Sequence, residues 1–369
     1  MGAIRLIRLI GLIWPIGPIW QYRGSRTKTY GITPPMAPLP RPLRTAALKH
    51  GRRNGIVGAM SPSPLRVSHF YEWTHVGDTL LDCVLAEFAA HGARALSTPP
   101  GWSARFLSDP AFAKQLRQKL TARSLIMADA HAPWGEPWDL DIEDAARRPA
   151  MIASHRLCLS MLADFGVETY TMHIGSAPNY TNGGVHTEAL QTGALRTLDA
   201  LLPEAEARGI VIAVENIVEP STCAAVVASL VRSFDTPWIG CCLDVGHAHV
   251  LDADAPRAVD QLQPYVRERA WNHRVVLTPF TDVVRLLAPW VVTCHIHDND
   301  ATGDEHRLPG DGRIDWPRYL AALATCRRLK SIQNEWHPLG YGYPIQRACQ
   351  CFDQLSADLE AARRIVSTV

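Results

Sequence analysis

The stretches IVIAVEN (residues 210–216), IGCCLDVGH (239–247) and VVTCHIHDND (291–300) decide the fold. Each begins as an apolar run of strand length and ends in carboxylate, amide or imidazole side chains. Residues 210–214 are all apolar, as in strands that are buried on both faces of a parallel sheet. Because helical patterns separate the three stretches, the sequence predicts parallel strands joined by helices.

The same alternation extends over the body of the chain. Strands are predicted at residues 66–73, 93–97, 125–131, 169–175, 210–215, 239–244, 291–297 and 331–335. Helices are predicted at residues 79–91, 109–123, 144–165, 186–208, 222–234, 256–263, 281–287, 316–327 and 345–365. Eight strand–helix units predict a single-domain (β/α)₈ TIM barrel over residues 61–369. The alternative is a doubly wound open sheet, which normally carries a glycine-rich phosphate turn after its first strand; the sequence has none.

Residues 1–60 form a basic N-terminal extension with ten Lys/Arg and no Asp/Glu. The remaining 309 residues carry 27 Lys/Arg against 36 Asp/Glu, so a body of charge −9 and an extension of charge +10 give the net charge of +1. The apolar run Leu9–Trp20 is too short to span a bilayer, which needs about 20 residues, and no membrane association is predicted. The extension is a targeting segment, a disordered arm or the result of a start placed too early, with Met60 as the initiator. We favour the last.

The nine cysteines include no C-x-x-C pair, and several lie in apolar runs such as 239–250. This usage is typical of a reducing compartment, where a free cysteine behaves as a small apolar residue. The sequence therefore predicts a cytoplasmic protein without a disulfide framework.

Side chains able to bind a metal follow six consecutive predicted strands. The carboxyl ends of barrel strands converge on the catalytic face, so these side chains are expected to meet there. A charged group that follows an apolar run is costly to bury unless it is paired or bound to a metal. The candidates are His131, His173, Glu215, Asp244, His247, His295, His297, Asp304, His306 and Glu335.

This donor set predicts a divalent metal. Carboxylates and imidazoles without thiolates suit Mn²⁺, Mg²⁺, Co²⁺ or Zn²⁺. The D-x-x-H spacing lets Asp244 bind a metal while His247 reaches the substrate or a second metal. His295 and His297 are two residues apart, so on a regular strand both point to the same side.

Aromatic and basic side chains lie near the predicted mouth of the barrel. Trp134, Trp138 and Trp336 could stack on a sugar ring or pack a lid, and neither interpretation is favoured. Arg307 and Arg313 could bind a phosphate or a sugar hydroxyl, although a solvated loop charge is the default. No Walker-type or dinucleotide glycine motif indicates a nucleotide cofactor.

Several motifs together resemble the xylose isomerase-like barrel superfamily, and most closely its sugar phosphate isomerase/epimerase type. The motifs are AVEN, LDVGH, HIHDND followed by DEHRLPGDGRIDW, and the late NEW, with HAPWG and HIGS at the third and fourth strands. The resemblance covers about residues 62–365. It implies an enzyme of carbohydrate metabolism that isomerises or epimerises a sugar or sugar phosphate, and it suggests a homo-oligomer.

The resemblance also implies roles for individual residues. One divalent metal (Mn, Mg or Co) would be held by Glu215, Asp244, His295 and Glu335. Glu215 and Glu335 would move a proton next to a carbonyl group through an enediolate, and His247 would orient the substrate. His131, His173, His297, Asp304 and His306 would line the site or hold additional metal. Dehydratase chemistry is a close neighbour, because it also begins with loss of such a proton.

The same superfamily contains the apurinic-site endonucleases, whose trinuclear zinc pattern also maps onto this chain. The matching residues are His131, His173, Glu215, Asp244, His247, His295, Asp304, His306 and Glu335. The acidic body, the lack of basic DNA-gripping loops and HIHDND in place of HLND count against a nucleic-acid partner. A non-catalytic carbohydrate-binding barrel is a third hypothesis, which the complete set of core ligands disfavours. A small sugar is therefore the expected partner.

Overall fold

The computed structural model describes residues 64–71, 73, 76–142, 144–175, 187–270 and 275–368. The extension predicted at residues 1–60 lies outside them, so its boundary with the barrel stays a prediction. Within the described residues, no helix has the length and apolar character needed to cross a membrane.

Eight parallel strands form a closed barrel, which confirms the predicted fold. All eight predicted strands are present; five are one residue shorter than predicted, two are three residues shorter, and the sixth has the predicted bounds. The first strand closes the barrel by pairing with the last, with Arg66 opposite Ser331 and His69 opposite Asn334. The strands are β1 Arg66–Phe70, β2 Ala95–Thr98, β3 Ile126–His131, β4 Thr169–Met172, β5 Val211–Glu215, β6 Ile239–Asp244, β7 Val291–Ile296 and β8 Ser331–Asn334.

Twelve α-helices are present in the described part of the chain. They are α1 Asp78–Ala90, α2 Pro100–Ser108, α3 Pro110–Thr121, α4 Arg148–Ala163, α5 Thr187–Arg208, α6 Ala224–Arg232, α7 Val245–Val250, α8 Pro264–Arg269, α9 Phe280–Leu287, α10 Trp316–Leu323, α11 Pro338–Tyr341 and α12 Ile345–Ser367. Four of them, α2, α7, α8 and α11, were not predicted, and none is longer than nine residues.

The helix predicted at residues 256–263 is wrong. That segment contains only a short 3₁₀ turn, Val259–Gln261, and a helix begins afterwards at Pro264. Proline favours the first position of a helix and disfavours helical backbone in the residue before it. Gln263 is accordingly extended, with φ −57° and ψ 145°. The proline that starts α8 therefore keeps Gln263 out of the helix and separates α8 from the 3₁₀ turn before it.

The inside of the barrel contains a hydrogen-bonded polar network. Ser97 donates to Gln333 (2.6 Å), Gln333 donates to Thr293 (2.9 Å), and Ser331 donates to the buried Asp129 carboxylate (3.0 Å). A large apolar core packs between the sheet and the surrounding helices. Because these contacts hold the strands from both sides, the strand ends that carry the candidate ligands have a rigid support.

Candidate active site

A cavity of about 720 Å³ lies at the carboxyl ends of the strands. Most of the candidate ligands line it, and the others are buried beneath. The lining includes His131, His173, Glu215, His247, Asp304, His306 and Glu335. The residues predicted at the strand ends therefore converge on this cavity.

Four of the predicted residues, Glu215, Asp244, His295 and Glu335, form what we call the central group. Nδ1 of His295 lies 3.2 Å from Glu215 Oε1, 3.0 Å from Glu335 Oε2 and 3.8 Å from Asp244 Oδ2. Three of the side chains are fully buried, and Glu335 exposes 12% of its side chain. Asn216 fixes Asp244 by exchanging two hydrogen bonds with its backbone, at 2.9 and 3.0 Å.

The second group consists of His131, His173 and Glu215. Nε2 of His131 and of His173 lie 3.2 and 3.1 Å from Glu215 Oε2. The other oxygen of this carboxylate, Oε1, faces His295 in the central group. Glu215 therefore presents one oxygen to each group.

The third group consists of His297, Asp304 and His306. Asp304 Oδ2 lies 3.1 Å from His306 Nε2 and 3.2 Å from His247 Nε2, and Asp304 Oδ1 lies 3.7 Å from His297 Nε2. The His306 ring is stacked between those of His297 and His337, with centroids 4.0 and 4.1 Å away. His306 has a left-handed backbone (φ 52°), which costs a residue other than glycine roughly 1–3 kcal/mol.

His295 and His297 both contact Asp244, as expected for side chains on the same side of a strand. Asp244 Oδ2 lies 3.8 Å from His295 Nδ1 and 3.2 Å from His297 Nε2. Asp244 Oδ1 also accepts a hydrogen bond from the backbone of His247 at 2.6 Å and begins α7. Asp244 therefore connects the central group with the third group.

Backbone carbonyls fix the orientation of three imidazoles. Nδ1 of His131 donates to Ala132 O at 2.7 Å, and Nδ1 of His247 donates to Asn216 O at 3.0 Å. Nδ1 of His306 likewise donates to the carbonyl oxygen of Glu335 at 2.5 Å. Each ring then directs Nε2 at a carboxylate, the arrangement in which histidine commonly binds metals.

A cation fits between these rings and carboxylates. Glu215 Oε2 is buried and has no hydrogen-bond partner in the described residues, although two Nε2 atoms lie within 3.2 Å of it. Lone pairs on these atoms repel unless a proton or a metal ion lies between them. Two ligands on a tetrahedral zinc ion lie about 3.4 Å apart, because each bond is about 2.1 Å. The observed spacings of 3.0 to 3.8 Å fit such an ion.

The ionisation of the groups without metal follows from the same contacts. Burial raises the pKa of Glu215, but His295 and His173 hold the pKa well below its usual range. Burial lowers the pKa of His306, but the Asp304 carboxylate raises this pKa to about 9. Without a metal, a proton thus holds His306 to Asp304, and a metal bound there would displace it.

Two residues of α8 belong to the site, and the sequence patterns missed both. The Tyr265 hydroxyl accepts a hydrogen bond from the backbone of Asp304 at 2.5 Å, and Arg269 lines the cavity. Neither follows a predicted strand, so the search for ligands at strand ends had no signal for them. Arg307, which the sequence offered as an anion ligand, pairs with Glu305 at 2.6 Å.

The three tryptophans have different places. Trp134 and Trp138 line the cavity, and Trp134 is 54% exposed with its ring stacked 5.4 Å from that of His173. Trp336 is fully buried and contacts Tyr343 and Tyr71. Two of the three are therefore available to contact a ligand.

The comparison with protein families agrees with the fold. The xylose isomerase-like TIM barrel family matches residues 85–327. The chain belongs to this family. A curated relative in Sinorhizobium fredii (strain NBRC 101917 / NGR234), the uncharacterized protein y4fM, is 23% identical over 191 residues. The match covers 51% of each protein, so the chain spans about half the length of the curated relative that it matches.

Solved structures of this xylose isomerase-like fold include sugar epimerases. A D-tagatose 3-epimerase-like protein superposes with a TM-score of 0.61 and 18% identity, over 82% of this chain and 100% of that chain. The TTHB071 protein from Thermus thermophilus, soaked with ZnCl₂, superposes with a TM-score of 0.54 and 17% identity, over 79% and 98%. At these identities the likeness shows the fold alone.

Proposed function

We propose that this protein is a divalent-metal-dependent isomerase or epimerase of a small sugar or sugar phosphate. The observation that carries the proposal is the position of Glu215 and Glu335. Both line the cavity, and their carboxylate oxygens lie 3.2 and 3.0 Å from the same atom, Nδ1 of His295. These carboxylates come from β5 and from the residue after β8, so they approach the cavity from different strands.

Two carboxylates at one cavity suit the transfer of a proton at a carbon next to a carbonyl group. One takes the proton and the other returns it from the opposite face, which inverts the carbon or moves the carbonyl. A divalent metal, when bound, would act as a Lewis acid that polarises the carbonyl oxygen. Glu215, Asp244, His295 and Glu335 would hold it, and His247 would orient the substrate.

The cavity has the size and the lining that a monosaccharide needs. Its volume of about 720 Å³ lies within the range of small-molecule sites. Trp134 offers an exposed ring that can stack on the C–H face of a sugar. The D-tagatose 3-epimerase-like neighbour supports a sugar substrate, and the zinc-soaked neighbour supports zinc as one metal to test.

A second candidate is hydrolysis of a phosphoester at two or three zinc ions, including the abasic-site cleavage considered above. It is favoured by Glu215, which offers one oxygen to the central group and the other to the second group. If both oxygens bind metal, Glu215 has none left to take a proton. Hydrolysis at several metals does not need that proton transfer, because a metal can lower the pKa of water.

The test begins with metal content by mass spectrometry on protein purified without chelators. The loaded protein is then incubated in D₂O with a panel of ketoses and ketose phosphates, and separately with an oligonucleotide that contains an abasic site. The proposal expects deuterium to enter a carbon next to the carbonyl, and Glu335→Gln to abolish this exchange. Strand cleavage without deuterium exchange on any ketose would establish the second candidate instead.

The variant His173→Ala separates the two candidates. It removes a member of the second group and leaves all four residues of the central group. A one-metal isomerase should keep turnover within about tenfold, whereas a hydrolase that needs the second group should lose at least a hundredfold, about 2.7 kcal/mol of transition-state stabilisation. Circular dichroism and melting temperature provide the folding control.

A further inference from the structure

Arg269 is the single arginine or lysine among the described residues that line the cavity. It is the last residue of α8, and 31% of its side chain is exposed. The remaining charged lining residues in the described chain are carboxylates and histidines. The cavity thus has one permanent cation, contributed by a helix outside the set of strand ends.

A buried carboxylate fixes this arginine. Nε of Arg269 donates to Oε1 of Glu219 at 2.7 Å, and Glu219 is fully buried. Thr222 donates from its hydroxyl to the other oxygen, Oε2, at 3.2 Å. Burial lowers the pKa of Arg269, but Glu219 raises it above its usual value, so the guanidinium stays charged.

The bond to Glu219 uses only one of the five N–H donors of the guanidinium. The two Nη groups make no hydrogen bond to a described residue. A planar pair of Nη groups matches two oxygens of a phosphate or carboxylate, which is why arginine is common where such anions bind. Because Arg269 also lines the cavity, these donors remain for a ligand that enters it.

The charge of the metal-binding groups depends on how many ions they hold. The three groups contain four carboxylates in all: Glu215, Asp244, Asp304 and Glu335. With one divalent ion in each group, six positive charges exceed these four negative charges, and Arg269 adds another positive charge. With a single ion the groups stay negative, and Arg269 is then the local attraction for an anionic substituent.

We infer that Arg269, positioned by Glu219, binds an anionic group of the substrate, and that the natural substrate carries a phosphate or carboxylate. This deepens the proposed function and rests on it for the remainder of the substrate. Trp134 and the metal-binding groups would contact the part of the substrate that is not charged.

The test measures binding to the metal-loaded protein by isothermal titration calorimetry. The probes are inorganic phosphate and the pair D-ribulose 5-phosphate and D-ribulose. Arg269→Gln should weaken binding of inorganic phosphate and of D-ribulose 5-phosphate at least tenfold and leave D-ribulose within twofold. Glutamine at 269 can still donate to Glu219, so the buried carboxylate keeps a partner. Arg269→Lys keeps the charge but loses the paired donors, and should give an intermediate affinity.

Arg267→Gln is the matched control, because Arg267 lies on the same helix and donates to Asp260 O at 2.8 Å on the exposed side. It should bind phosphate as the wild type does. Phosphate affinity within twofold of wild type in Arg269→Gln, or no phosphate binding by the wild type, overturns the inference. Arginine-dependent binding of phosphate without isomerisation of any sugar overturns the proposed function alone. If the wild type and Arg269→Gln both isomerise neutral sugars as fast as the corresponding sugar phosphates, the inference is overturned and the proposed function stands.

Discussion

The loop that carries the third group depends on one buried carboxylate. Asp298 follows β7, is fully buried and accepts four hydrogen bonds. Its Oδ1 accepts from the backbone of Asn299 (2.8 Å) and Ile314 (3.1 Å). Its Oδ2 accepts from the backbone of Gly310 (2.8 Å) and from Nε1 of Trp316 (2.9 Å). The loop between Asn299 and Trp316 is thereby held at several points along its length.

Asp298→Asn replaces one acceptor oxygen by an NH₂ group and removes the charge. Two of the four hydrogen bonds are lost in either orientation of the amide, and the new N–H groups face other N–H groups. A hydrogen bond to a charged group contributes about 1.5–3 kcal/mol, so the expected loss is about 3–6 kcal/mol. Because the closed barrel does not depend on this loop, we expect the loop to open locally while the barrel stays folded.

Hydrogen exchange followed by mass spectrometry measures this directly. Peptides that cover residues 299–316 should exchange at least a hundredfold faster in Asp298→Asn, and barrel peptides should keep their protection. Zinc held by the third group should bind at least tenfold more weakly. Asp315→Asn is the control, because Asp315 only caps α10 through a 3.4 Å contact with the backbone of Arg318. Wild-type protection of residues 299–316 in Asp298→Asn would refute the reasoning.

Three further predictions concern packing, pH and metal. Gly246→Ala would place a Cβ 1.9 Å from the ring of His297, so the ring must move. We expect the free energy of unfolding in urea to fall by about 1–3 kcal/mol, even though alanine favours a helix more than glycine does, and an unchanged midpoint would contradict this. Burial lowers the pKa of His155 to about 4. Below pH 6.5 the unfolded chain therefore binds a proton that the folded chain does not. The free energy of unfolding keeps its full value above pH 6.5 and falls by about 3 kcal/mol as the pH is lowered to 4. His155→Gln, which can keep the contacts to Tyr170 and Trp138 O, should remove this part of the pH dependence in metal-free protein, and an identical slope in both proteins would count against it. Removal of metal by a chelator should lower the unfolding free energy by about 4 kcal/mol if the ion was present at a thousandfold its Kd, whereas an unshifted melting temperature would argue that none of the three groups holds metal.

The sequence predicted the barrel because the relevant signals are local. Apolar runs such as Ile210–Val214 and the polar residues after them have a period and an order that do not depend on tertiary contacts. The convergence of strand ends then follows from the closed parallel topology. The carboxylates and imidazoles were found for this reason, and the central group contains the four residues expected from the resemblance.

What the sequence could not predict depends on contacts between distant segments. Arg269 has no signal of its own, since its role depends on Glu219, which is 50 residues earlier and buried beside it. The third group forms because the chain turns back after β7, where the antiparallel bridge between Asp298 and Arg307 brings Asp304 and His306 beside His297. The spacing of two residues between His295 and His297 indicated only that both side chains point to the same side of the strand.

The pairing of β1 with β8 has a consequence for how the protein is made. Glu335 follows the strand that closes the barrel, so a nascent chain that ends before residue 331 has neither the last ligand nor a partner for β1. Such a chain exposes two unpaired strand edges, which are sites of aggregation. The contacts that complete the barrel join residues about 265 positions apart, and contacts of such separation form slowly. We therefore expect the newly synthesised chain to depend on chaperones until β8 has emerged from the ribosome, and to acquire its full set of metal ligands only as the barrel closes.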